Sequence, residues 1–116
     1  MPRITELSTE QMDPIQKGIY DDIMAGPRSS LRGPFHAWLH SPGLADPAQK
    51  LGAFCRFSSS LPKRLSELAI IVGARFWCAQ FEWYAHAPMA MEAGISPDTV
   101  EAIRIKQKPA LSLEDE

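Results

Sequence analysis

The residues of this chain best suited to acid–base chemistry are Glu67, Glu82 and His86. Glu82 and His86 are four apart, so on a helix their side chains share one face and can touch. A carboxylate in that position orients an imidazole and fixes its tautomer, and histidine is the side chain best matched to proton transfer near neutral pH. Glu67 lies about one helix earlier, and a hairpin of two helices would bring it to the same place. Taken alone the pattern is weak, because Glu–His pairs at this spacing are common on solvated faces. A glutamate such as Glu67, beside Arg64 and Ser66, is more often a surface charge. The two cysteines, Cys55 and Cys78, form neither a C-x-x-C redox pair nor a zinc spacing. The expectation is two free thiols in a reducing compartment.

The elements that must position these groups are punctuated by Gly and Pro, and no alternating strand pattern stands out. Ser8 and Gln11 have capping-box spacing, and Asp13-Pro14 offers a second helix start. Ile15, Ile19, Tyr20, Ile23 and Met24 then recur at helical spacing as far as the break at Ala25–Ser30. A short apolar segment from Gly33 to His40 stops at Ser41-Pro42-Gly43. The pair Asp46-Pro47 predicts a helix from Asp46 to about Ser58, with Leu51, Phe54, Cys55 and Phe57 on its buried side. After the polar break Ser58-Ser59-Ser60, Pro62 opens a helix whose apolar face is Leu65, Leu68, Ala69, Val72 and Gly73. The chain changes direction within Ala74–Cys78, and a second helix carries Glu82, Trp83, His86, Ala90 and Met91 to a C-cap at Gly94. Ser96-Pro97-Asp98-Thr99 starts a further helix with Val100 and Ile103, before Pro109.

Three blocks resemble the carboxymuconolactone decarboxylase family, which includes alkylhydroperoxidase D. The run from Leu61 to Val72 looks like the opening of that family's core. Glu82-Trp83-Tyr84-Ala85-His86-Ala87-Pro88 is similar to its E-W-x-x-H-x-P segment, and Ala93-Gly94-Ile95-Ser96 to its A-G-[LI]-[ST] exit. The likeness spans about residues 8 to 108 and is most specific between 61 and 104. In the register of alkylhydroperoxidase D, whose signature is a glutamate, a C-x-x-C and a histidine, Glu67 and His86 take the glutamate and histidine positions. Ala79 and Glu82 stand where the cysteines would be, and Cys78 is one residue early, about 100° away on a helix. A dithiol peroxidase needs an attacking and a resolving thiol in reach, so disulfide cycling is disfavoured.

The resemblance therefore implies the decarboxylase branch. That is an all-α, alkylhydroperoxidase D-like domain with a central antiparallel helix pair, assembled as trimers or hexamers, that needs no metal or organic cofactor. The implied substrate is a small carboxylated lactone of aromatic catabolism. Loss of CO2 leaves an extended enolate to be protonated, with His86 as general acid, Glu82 orienting it and Glu67 relaying a proton through water. Trp77, Phe81, Trp83 and Cys78 are the candidate pocket residues, with Trp38 and Phe35 as further aromatic wall. Arg75 and Arg56 are candidate partners for a substrate carboxylate. His36 and His40 are read as structural or exposed. A peroxiredoxin-like antioxidant enzyme working through Cys78, and a non-catalytic oligomeric relative, are the alternatives.

Bulk properties frame these expectations. The chain has 116 residues, of which 45% are hydrophobic and 22% charged, which suits one folded domain over 1–116. A net charge of −2 gives no electrostatic reason to expect nucleic acid or an anionic membrane as partner. No apolar run approaches the roughly 20 residues that span a bilayer, and Met1–Glu6 lacks the core of a secretory signal. A cytoplasmic location follows as the expectation. Ser112-Leu113-Glu114-Asp115 reads as a helix start, which predicts a fragment or a shortened relative lacking C-terminal helices.

Overall fold

The structure, a computed structural model, describes residues 3–113. All regular structure among them is helical, and none of their helices is long and apolar enough to cross a membrane. The sequence treats 1–116 as one domain; in the structure the contacts gather into two compact units that divide between Ser59 and Ser60. The helix expected to begin at Ser112 runs into residues 114–116, outside the described residues.

The first unit contains α1 (Pro14–Ala25), α2 (Phe35–Trp38) and α3 (Pro42–Ala53). Ser8 and Gln11 frame only a 3-10 turn, Thr9–Gln11, and the full helix starts at the second signal. The Asp13 carboxylate accepts from the N–H groups of Ile15 and Gln16, both at 2.8 Å, and Gln16 returns a bond to Asp13 N–H at 3.0 Å. Orphan donors at the first turn are thereby satisfied on both sides. Ile19 and Ile23 of α1 then meet Phe35, Leu39 and Ala45 in a small core flanked by Leu7, Met12, Leu31 and Trp38.

α3 departs from expectation. It begins at Pro42 behind Ser41, and Pro47 lies inside it. At its sixth position Pro47 forfeits only the one ladder bond to the Gly43 carbonyl, so the helix continues through it. The early start also shifts which side is buried. Ala45 and Gln49 face inward, whereas Leu51 is 65% exposed and Phe54, Cys55 and Phe57 are exposed as well. The small Ala45 lets α3 approach α1 and α2 closely, which a stripe of leucine and phenylalanine would not. Beyond α3 the chain widens into a π-helical turn, Phe54–Ser58.

The second unit contains α4 (Lys63–Phe76), α5 (Gln80–Glu92) and α6 (Pro97–Arg104). Its core is Leu68, Ile71, Ala87, Ala90, Ile95, Val100 and Ile103, with Trp83 packed against it. α4 presents Glu67, Leu68, Ile71 and Ala74 inward; of the predicted stripe Leu68 is buried and Leu65 and Gly73 half-buried, whereas Ala69 and Val72 face solvent. Two apolar stripes overlap on this helix, and Ile71, which is fully buried, decides between them. The chain reverses after Phe76 through a Schellman cap, with Ala79 N–H bonded to Ala74 O at 2.8 Å and Cys78 N–H to Arg75 O at 3.3 Å. Cys78 takes the left-handed position, φ 54°, that glycine usually fills. The same motif ends α5, where Gly94 at φ 104° supplies that conformation without strain.

Candidate functional site

The hairpin of α4 and α5 brings Glu67 against His86. Glu67 Oε2 lies 2.7 Å from His86 Nδ1 in a buried contact, and Glu82 Oε2 lies 3.5 Å from Nε2 on the far side of the ring. The two carboxylates have unlike surroundings. The Glu67 side chain is 3% exposed and that of Glu82 44%, with the imidazole between them at 10%. An ionised carboxylate only accepts, so Glu67 fixes the proton on Nδ1 and turns Nε2 toward Glu82 and the outside. The distance to Glu82 is longer than a direct hydrogen bond.

The structure thus gives the orienting contact to Glu67, where sequence reasoning gave it to Glu82, and leaves Glu82 as the outward member. The reversal has a simple cause. An i,i+4 pair lies along the helix surface, whereas a residue from the facing helix meets the ring from inside the hairpin. Both acidic residues and His86 nevertheless form one cluster.

The pocket candidates divide. Trp83 and Cys78 line one cavity of about 380 Å³ beside the α4–α5 turn, together with Arg75, Gln80 and Arg104. Phe81 is exposed and Trp77 is 78% exposed; neither lines this cavity, and Trp77 stacks edge-on against Phe76 at 5.1 Å. Phe35 and Trp38 belong to the first unit, where they pair edge to face at 5.2 Å. In the same unit His40 bonds the Thr5 carbonyl at 2.7 Å, and the buried His36 Nδ1 has no hydrogen-bond partner. Arg56 stacks over the Phe57 ring at 5.0 Å.

Arg75 is fixed at the cavity edge. Its Nε donates to the Arg104 carbonyl at 2.5 Å, and its Nη1 to the Cys78 sulfur at 3.7 Å. Arg104 and Gln80 went unnoticed in the sequence, since nothing in their spacing ties α6 to the hairpin turn. Arg104 forks onto Glu101 at 2.7 and 2.6 Å. The bond raises the Arg104 pKa and lowers that of Glu101. Both cysteines are unpaired and exposed. No group of three or more His, Cys, Asp or Glu among the described residues is placed to hold a metal ion. A comparison of this chain with family models, curated proteins and solved structures finds no match.

Proposed function

We propose that this chain is a cofactor-independent enzyme of the carboxymuconolactone decarboxylase type, acting by proton transfer on a small carboxylated lactone or related carbonyl compound. The observation that carries the proposal is one imidazole held between two carboxylates of unlike exposure, Glu67 inside at 2.7 Å and Glu82 outside at 3.5 Å. A buried carboxylate–imidazole contact is a weak source of stability, and its geometry suits general acid–base work. In the proposed step the substrate's C–CO2⁻ bond breaks, CO2 leaves, and the electron pair passes into an extended enolate. His86 Nε2–H then delivers a proton to carbon. Glu67 stabilises the imidazolium before transfer, and Glu82, open to water, returns a proton to Nε2 afterwards.

We place this activity in a cytoplasmic homo-oligomer, a trimer or hexamer. The support is the set of large apolar side chains left exposed around the hairpin turn, Phe76, Trp77, Phe81 and Tyr84. Elution at the 12.9 kDa of one chain would sink the assembly. A peroxide-reducing activity is the second reading, favoured by the Arg75 guanidinium on the exposed Cys78 sulfur. It requires an external thiol reductant, because Cys78 is the one cysteine between Ser60 and Glu116. Ultraviolet-monitored turnover of 4-carboxymuconolactone, run beside His86→Ala, tests the main proposal. Substrate loss with CO2 release that disappears in the variant supports it, and no turnover by the unaltered protein removes it. Peroxide consumption abolished by Cys78→Ser would favour the second reading.

A further inference from the structure

We propose that the cavity beside the α4–α5 turn binds a small organic carboxylate, with Arg75 as its charge partner and the Trp83 ring against its apolar part. Its volume, about 380 Å³, lies at the small end of the range of ligand pockets. Two arginines line it, but they are not equivalent. Arg104 is neutralised by its fork onto Glu101. Arg75 is held by a backbone carbonyl and by the Cys78 sulfur, and no carboxylate pairs with it among the described residues. A guanidinium fixed on one edge is already oriented, so a ligand carboxylate meets a donor that has little freedom left to lose.

The surroundings favour an anion. Arg75 also lines an adjoining cavity of about 580 Å³ that carries Lys106 and Lys108. α5 opens on this side with Ala79 as an N-cap that offers no side-chain acceptor. Its first-turn N–H groups add positive partial charge to that of Arg75, offset in part by the Glu82 carboxylate in the same turn. The remaining wall is Ala74, Ala79 and Trp83, which suits a flat hydrocarbon body, with Gln80 as a polar neighbour and no second unpaired cation for a dianion. Taking the bound carboxylate to be the substrate's own rests on the proton-transfer proposal. Trp83 stands next to Glu82 and three residues before His86 on α5, while Glu67, Glu82 and His86 themselves do not line the cavity.

The test reads binding and not turnover, so it can fail while decarboxylation stands, and the reverse. Cys78 lines the cavity and is exposed, and exposed Cys55 in the first unit serves as an internal reference. Alkylation by iodoacetamide is followed at both cysteines of the full chain by peptide mass spectrometry, with benzoate as the probe. At about nine times its dissociation constant benzoate leaves about a tenth of the sites free. Labelling of Cys78 then slows about tenfold with saturable dependence, and Cys55 is unaffected. Benzamide, which lacks the charge, gives no protection. Arg75→Gln loses the benzoate effect and Arg75→Lys keeps part of it, circular dichroism showing both folded. Absence of protection, equal protection by benzamide or by inorganic phosphate, or full protection surviving in Arg75→Gln each overturns the proposal.

Discussion

Replacing Glu67 by glutamine tests the buried half of the site while preserving its shape. The amide oxygen can still accept from His86 Nδ1 across the 2.7 Å contact, so only the charge is lost. Hydrogen bonds to charged groups contribute about 1.5–3 kcal/mol and neutral ones about 0.5–1.5, so the expected cost is about 1–1.5 kcal/mol. His86→Ala is harsher. It leaves a nearly inaccessible carboxylate without its partner, which costs about 3–5 kcal/mol. Glu82→Gln, at a half-exposed residue 3.5 Å from the ring, should cost less than about 0.5 kcal/mol. Two compact units need not unfold together, so the readout must be local. Native-state exchange of the Ile71 and Ala90 amides, both in the core of the second unit, reports that stability directly. The order of destabilisation should be His86→Ala, then Glu67→Gln, then Glu82→Gln. At about 1 M salt the small Glu82 effect should vanish and the Glu67 effect persist, because buried pairs are poorly screened. A Glu67→Gln protein as stable as the parent, or less affected than Glu82→Gln, would refute the buried charge-assisted pair.

Cys78→Gly should raise the stability of the second unit by about 0.5–1 kcal/mol, because φ 54° strains any residue with a Cβ; a lower denaturation midpoint would show that the side chain contributes more than its conformation costs. Ser96→Ala should lower stability by about 1 kcal/mol by removing the acceptor for Thr99 N–H, now at 3.1 Å, and urea titration of the variant decides it. The pKa of Glu101 is lowered, so the support its pairing with Arg104 gives the folded state is present above the ordinary glutamate value and lost as pH falls through the lowered one. A carbon-13 titration placing Glu101 at or above an unperturbed glutamate would contradict that pairing.

Where boundaries carry their own chemistry, the sequence was readable. Asp13-Pro14, Gly94 and Ser96-Pro97 mark element ends through caps and fixed dihedrals, and the helices begin or stop there. The start of α3 was not readable, because Ser41-Pro42 and Asp46-Pro47 are the same kind of signal and only packing selects the first. Burial faces failed for a related reason. On α4 the stripe through Val72 is the more apolar in sequence, but α5 with its Ala87 and Ala90 packs on the face through Ile71. Once that face turns inward Glu67 goes with it, so the feature that most marks the site is one that periodicity ranks as an error.

That apparent error separates the site from ordinary helix surface. Residue types placed Glu82 and His86 together, but such a pair on a solvated face does little more than hold two side chains near each other. What changes the chemistry is a second carboxylate arriving from the opposite helix, in a place where water cannot replace it. Glu67 holds one ring nitrogen from inside, and the other faces the half-exposed Glu82. An apolar pair at 67 and 86 would pack this hairpin at least as well, since exchanging a buried ion pair for hydrocarbon is often neutral or stabilising. Under the proton-transfer proposal, a carboxylate and an imidazole there have a role that folding alone does not require. The fixed Arg75 beside Trp83 has the same character, a cation held in place without a carboxylate of its own. Both groups are held by protein contacts alone, and the proposed reaction would draw on that preorganisation, the condition under which electrostatic catalysis is strongest.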